Sequence, residues 1–292
     1  MVLGIKQTVA VEFREILPRE IEKVSEITVD AFSLYYPRYS QTARRREIST
    51  LSNEIHQLMD RKVSKYYVLV QAHLIIGSVA LTLYSGHCYL NSMVIDPALQ
   101  KQGYGKILLE NVIQAVAKHK FGNIYLYANH AGTPLYEKGG FLPSFRVNPI
   151  RLSHVNAPKG KYEVAEFNFE LPKWIRKIEQ DRFGKQRIHL YDYLFSLDAD
   201  LLTISENAYC TLRDQTIGNL FASSPEYALA LLHEAWNLGG EYFNSIDNNE
   251  FLSISKRLSY TVNDEMSCTR MFLGEETGNF NNFYGVLSFG FG

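Results

Sequence analysis

The sequence predicts an α/β fold for residues 1–172, a mixed sheet flanked by helices, and a mainly helical part over residues 173–292. Three observations carry that prediction. Up to Leu171-Pro172, short runs rich in β-branched and aromatic residues alternate with stretches of helical periodicity. An apolar strand runs into Asp96-Pro97, and a loop with Gly103 and Gly105 then opens an amphipathic helix. From Trp174 onward strand-like alternation fades and helical signals replace it. A mixed sheet covered by helices on both faces is the layer arrangement that fits the first part.

The first strand is expected over Val9–Ile16. Pro18 opens a helix through Asp30, with Ile21, Val24 and Ile27 at helical spacing. An aromatic loop over Phe32–Tyr39 separates it from a second helix over Thr42–Asp60. Tyr66–Ala72 and Leu74–Tyr84 read as a hairpin, with Gly77 inside its second strand. His87–Ile95 is the strand that enters the glycine loop, since Pro97 cannot donate to a ladder. A helix over Tyr104–His119 is expected to place Leu108, Val112, Ala115 and Val116 along its inner face, and Ile124–Ala128 is a short buried strand. Thr133-Pro134 starts a two-turn helix that stops at Gly139-Gly140. Phe141–Val147 and Val164–Leu171 supply two more strands, with Asn148–Lys161 as a surface loop. Beyond, helices are expected over Leu190–Asn219, Ser224–Leu238 and Asp247–Leu258. The tail, Asn279–Gly292, is ambiguous between a strand and an extended arm. No internal repeat is visible.

Hydrophobic residues make up 46% of the chain and charged ones 21%, values that support a sizeable core. The net charge of −1 gives no reason to expect a nucleic acid partner. Basic residues outnumber acidic ones up to Pro172, and the balance reverses afterwards. Three widely separated cysteines form no Cys-x-x-Cys, so neither a metal site nor a disulfide framework is indicated. No apolar run is long enough for a signal peptide or a membrane span. A cytoplasmic protein with no membrane partner is therefore expected.

Glycines let backbone N–H groups converge on one point, and a helix N-terminus favours a phosphate. Two common phosphate loops fail here. A Walker loop needs Gly where Gln100 stands and Ser or Thr where Ile107 stands. A dinucleotide fingerprint needs a third glycine where Leu108 stands.

Gln100-x-x-Gly103-x-Gly105 resembles instead the acetyl-CoA loop of the GNAT superfamily of N-acetyltransferases. A second signature agrees: Asn129, then Leu135-Tyr136, then Gly140-Phe141, departing only in Gly132, where Ala is usual. The likeness covers about residues 5–171 and leaves residues 173–292 unassigned.

The resemblance implies a GNAT-like sheet and direct acetyl transfer from acetyl-CoA to a primary amine, with no metal. It implies that Gln100, Lys101, Gln102, Gly103, Tyr104, Gly105 and Lys106 hold the pyrophosphate. Met93, Val94 and Ile95 would pair with the pantetheine arm and polarise the thioester carbonyl, and Asn129 would also touch the cofactor. Tyr136 would be the general acid. For the general base, His87 is one candidate; a water relay or an amine arriving unprotonated serves equally. Tyr35, Tyr36, Arg38 and Tyr39 are candidate walls of the acceptor site. The acceptor, a small molecule or a protein, stays open, as does a homodimer. The alternative is a non-catalytic acetyl-CoA sensor or adaptor whose second domain engages a protein partner.

Overall fold

Two compact units divide the chain; two of the three boundaries fall inside strands and the third at the end of a helix. The computed structural model describes residues 10–33, 40–84, 86–118, 122–157, 162–167, 170–183, 187–276 and 280–289. In chain order the elements are β1 (Val11–Glu15), α1 (Ile21–Phe32), α2 (Gln41–Asp60), β2 (Ser64–Gln71), β3 (Leu74–Leu83), β4 (His87–Ile95) and α3 (Tyr104–Lys118). Next come β5 (Asn123–Asn129), α4 (Thr133–Lys138), β6 (Leu142–Val155), β7 (Ala165–Phe167), α5 (Lys173–Phe183) and α6 (Arg187–Phe195). The rest are β8 (Asp200–Ile204), β9 (Ala208–Arg213), β10 (Thr216–Ala222), α7 (Pro225–Asn237), β11 (Tyr242–Ile246), α8 (Asn249–Ser255), β12 (Leu258–Val262) and β13 (Cys268–Leu273).

The first unit comprises residues up to Leu81 together with Ser92–Lys118. Its strand order is β1-β2-β3-β4. Ile21, Val24 and Ile27 of α1 and Ile55 of α2 pack on Val68, Val70 and Ala80, which is the face their helical spacing selects. Ser40 caps α2 by accepting from the Ala43 amide.

The second unit comprises Thr82–Asn91 and the chain from His119. Its strand order is β4-β5-β13-β6-β11-β10-β9-β8-β7, with β12 also on β6. The expectation of a mainly helical second part is therefore wrong. Among the described residues, 173–292 hold the six strands β8 to β13 beside four helices. The cause is burial on both faces. Leu201–Ile204, Ala208–Leu212 and Ile217–Ala222 are buried throughout, so they lose the alternation that marks a half-exposed strand. Their turns use Ser205 (φ +45°) and Asp214 (φ +53°) instead of glycine. The expected loop over Asn148–Lys161 is overturned too, because β6 continues to Val155. Pro149 fits within it because its carbonyl, accepting from the Asn263 amide at 2.9 Å, is the group in use.

The element order repeats although the residues do not. The series β1, α1, α2, β2, β3, β4, α3, β5, α4, β6 recurs as β7, α5, α6, β8, β9, β10, α7, β11, α8, β12. Each series holds one parallel pair, β4 with β5 and β10 with β11. The two series also exchange strands. β13, from the end of the chain, lies antiparallel between β5 and β6, while the later part of β6 lies between β11 and β12. Ending the chain at Asn263 would strip β13 and leave two open strand edges. Such a chain is expected to aggregate on expression, as read by size-exclusion chromatography. A monomeric, cooperatively melting product would show that the exchange is dispensable.

Candidate active site

β4 is paired with β5 over His87–Leu90, and two residues later Ser92 takes φ +47°. A non-glycine residue in the left-handed region breaks the alternation of a strand. Beyond it, in the first unit, Met93 is half-buried and Val94 and Ile95 are buried. Gly77 makes room for them. A Cβ there would lie 2.6 Å from the Ile95 side chain and 2.8 Å from the Val94 carbonyl oxygen.

The loop that follows is tied at both ends. The Asp96 carboxylate accepts from the Ala98 amide at 2.9 Å, and Gln100 Nε2 donates to the Ile95 carbonyl at 3.2 Å. Lys101 (φ +61°) and Gly103 (φ +94°) then turn the backbone. A Cβ on Gly103 would meet nothing within 4 Å, so the glycine is needed for its dihedral and faces open space. Its carbonyl accepts from Lys106 and Ile107 and starts α3. The amides of Gly103, Tyr104 and Gly105 precede the first helical bond and have no helical carbonyl to reach. Tyr104 anchors the helix by donating to Gln71 Oε1 at 2.9 Å. Lys101, Gln102 and Lys106 are exposed, and Lys106 lies 3.7 Å from Glu110. A cradle of free amides at a helix N-terminus, with open space before it, suits a pyrophosphate.

In the second unit, Asn129 closes the turn that leads into α4, its Oδ1 accepting from the Gly132 amide at 2.8 Å. Gly132 keeps that start compact, since a Cβ would sit 3.2 Å from both Asn129 Oδ1 and the Tyr136 ring. Tyr136 is buried against Phe141. Burial, helped by nearby Cys268, pushes its phenol pKa well above the ordinary tyrosine value, so it stays protonated at neutral pH. His87 is buried at the head of β4, ringed by Tyr84, Tyr89 and Tyr125 at 5.1–6.1 Å. Tyr35, Tyr36, Arg38 and Tyr39 lie outside the described residues.

Residues 21–141 match the acetyltransferase (GNAT) family. That segment is a GNAT acetyltransferase domain. No curated protein matches the sequence. Solved structures share the fold at low identity. A protein from Pyrococcus horikoshii assigned as an acetyltransferase is 24% identical, with a TM-score of 0.79 over 96% of this chain and 95% of that one. A GCN5-related N-acetyltransferase from Anabaena variabilis is 12% identical, with a TM-score of 0.60 over 90% and 72%. A tandem GNAT protein from the clavulanic acid biosynthesis pathway is 10% identical, with a TM-score of 0.57 over 92% and 100%.

The second series repeats the bulge of the GNAT domain but not its loop. β10 pairs with β11 only through Ile217, and Asn219 then takes φ +50°. Ser223 and Ser224 alone separate β10 from α7, so no glycine loop exists there. The chain's own tail fills the gap. Tyr284 donates to the Leu220 carbonyl at 2.9 Å and Ala222 to Asn282 at 2.9 Å on one side. Ile246 donates to Tyr284 and Val286 to Asn244, both at 3.0 Å, on the other. Gly285 permits that approach, since a Cβ would overlap the Phe243 ring.

Asn219 itself is claimed by a fully buried cluster. Glu179 accepts from Arg187 Nε at 2.9 Å, Tyr191 at 2.8 Å, Asn219 at 2.6 Å and Tyr209. Sequence reasoning passed over these residues, and over Arg270, because their neighbours come from distant strands. Arg270 did leave one trace, a lone charge in the apolar run Cys268–Leu273.

Among the described residues no group of three metal-ligating side chains occurs, and no helix is long and apolar enough to cross a membrane. Burial pushes the Cys88 and Cys268 thiols up to about 12 and Cys210 higher still. Thiols of that kind are about 10⁻⁴ thiolate at pH 8. Iodoacetamide at pH 8 should leave the native chain unmodified by mass spectrometry, while the guanidinium-unfolded chain takes up three groups. Rapid alkylation of native Cys88 would contradict this burial.

Proposed function

We propose that the protein is an acetyl-CoA-dependent N-acetyltransferase with one working cofactor site, in the GNAT domain. The observation that carries this is the loop from Gln100 to Lys106, with Gly103 at φ +94° facing open space and the first amides of α3 lacking helical carbonyls to reach. When bound, acetyl-CoA supplies the acetyl group as a thioester. Amides of the loop would hold its pyrophosphate, while Gln100, already tied to Ile95, would shape the loop. Backbone N–H groups near Met93–Ile95 would stabilise charge developing on the thioester oxygen. Tyr136, kept protonated by burial, would give its proton to the leaving sulfur. Asn129 would act through the turn before α4 that it holds closed. His87 is the candidate acceptor for the amine proton. Tyr35, Tyr36, Arg38 and Tyr39 are retained as walls for a primary amine. The chain's main contribution is to place the amine nitrogen against the thioester carbonyl, which needs no covalent enzyme intermediate.

A division of labour near residue 172 belongs to the same proposal. Residues up to there would hold the cofactor, and those after it would complete the structure around the acceptor. The filled slot between β10 and β11 supports a single site. Calorimetric titration with acetyl-CoA is expected to give one molecule per chain, and a stoichiometry of two would defeat the assignment.

Tyr136→Phe tests the acid. It should lower kcat about 10²–10⁴-fold, measured by thiol release with an amine panel, with acetyl-CoA affinity unchanged. Equal turnover by the variant would remove Tyr136 from the mechanism.

A further inference from the structure

One face of the second unit carries more hydrogen-bond donors than the protein itself satisfies. Arg270 of β13 stands directly opposite Tyr127 of β5 in the antiparallel register. Arg270 is 1% exposed, with its guanidinium 4.2 Å from the Tyr125 ring centre, 4.8 Å from Phe280 and 5.4 Å from Phe145. Its Nη1 donates to Glu276 at 3.1 Å and to Ser144 at 3.3 Å, and Tyr89 is a further hydrogen-bonding neighbour. Nε has no partner, and neither does the buried hydroxyl of Tyr127. These are the buried side-chain nitrogen and oxygen left unpaired among the described residues.

Charge points the same way. Glu276, the carboxylate paired with Arg270, is 41% exposed, so solvent weakens its compensation of a buried cation. Glu179 is not available, since its oxygens are taken by Arg187, Tyr191, Tyr209 and Asn219. Tyr127 stacks on Tyr89 at 6.1 Å and meets Phe289 edge-on at 5.6 Å. Tyr127 is half-buried as a residue, and its hydroxyl is buried. Buried donors left unpaired cost free energy that a bound acceptor would recover. Two N–H or O–H donors, one of them on a cation, within flat aromatic walls match a planar anion.

We propose that Arg270 Nε and the Tyr127 hydroxyl bind a carboxylate, and that this carboxylate belongs to the amine acceptor. The acceptor is then an amino acid-like molecule or a peptide end, with a free carboxylate and an apolar or aromatic body. Only the word acceptor rests on the acyl-transfer assignment; the carboxylate site does not. The geometry needs no bond made or broken, since recognition is by hydrogen bonding alone.

The test begins without acetyl-CoA. Phenylacetate and phenylacetamide are titrated calorimetrically into the full chain, with inorganic phosphate as a control. Phenylacetate is expected to bind at least tenfold more tightly than the other two. Tyr127→Phe, which deletes one hydroxyl, and Arg270→Gln should each weaken phenylacetate at least tenfold and leave phenylacetamide unchanged. Thermal melting checks that both variants are folded, and Tyr127→Phe suffices if Arg270→Gln is not. Equal binding of the acid and the amide, preference for phosphate, or an unaffected Tyr127→Phe would overturn the site. Turnover is then compared with phenylalanine and phenylalaninamide as acceptors. A higher KM for the amide, and a Tyr127→Phe penalty confined to the acid, would support the acceptor assignment. A chain that binds phenylacetate in this pattern yet acetylates no amine would keep the carboxylate site and sink acyl transfer.

Discussion

Backbone hydrogen bonding at an interrupted parallel ladder is the constraint on which both series of elements depend. The registered ladders β4–β5 and β10–β11 end just before a residue of positive φ, Ser92 in one and Asn219 in the other. A strand so bent exposes N–H and C=O groups that must find partners. In the second series the partners are protein: Asn282 and Tyr284 bond to β10, and Tyr284 and Val286 to β11. In the first series the resemblance of the Gln100–Lys106 loop implies that Met93, Val94 and Ile95 would pair with a pantetheine arm instead. One backbone device thus has two uses, and what distinguishes them is the loop that follows. Eight residues with two positive-φ positions separate β4 from α3, whereas two serines separate β10 from α7.

The side chains agree with that difference. Around Asn219 every oxygen of Glu179 is engaged, and the attraction of that carboxylate, with neighbouring tyrosines, outweighs the desolvation that disfavours charge on Arg187. Removing one partner of such a pair strands a buried charge, a loss of about 3–5 kcal/mol. This cluster is closed. The neighbouring cluster of Tyr127 and Arg270 is not, and contrast between a saturated and an unsaturated network on one unit is what gives the second its meaning.

How much was legible in the sequence follows from burial. His87–Ile95 and the start of α3 at Tyr104 are where the residues predict them, because Pro97 and Gly103 punctuate the chain at both ends. The core face of α1 follows from its spacing. β8, β9 and β10 were unreadable, being buried on both faces and joined by turns without glycine. The exchange of β6 and β13 was equally hidden, since strand pairing across distant segments leaves no local pattern. The same holds at the candidate site. Gly103 and Tyr136 stand in recognisable spacings, whereas Arg270 acquires its neighbours only through the register of β13 against β5 and β6.

The exchanged strand also sets a schedule. β5 is synthesised early, yet its partner β13 belongs to the last segment of the chain, with Cys268 opposite Asn129. At ordinary ribosomal rates the wait between them is on the order of ten seconds. Until then the edges that β13 covers on β5 and β6 stand open, the condition under which nascent chains aggregate or recruit chaperones. β5 and the first part of β6 therefore cannot complete their pairing until β13 is made, and a chain terminated before it would leave both edges unpaired.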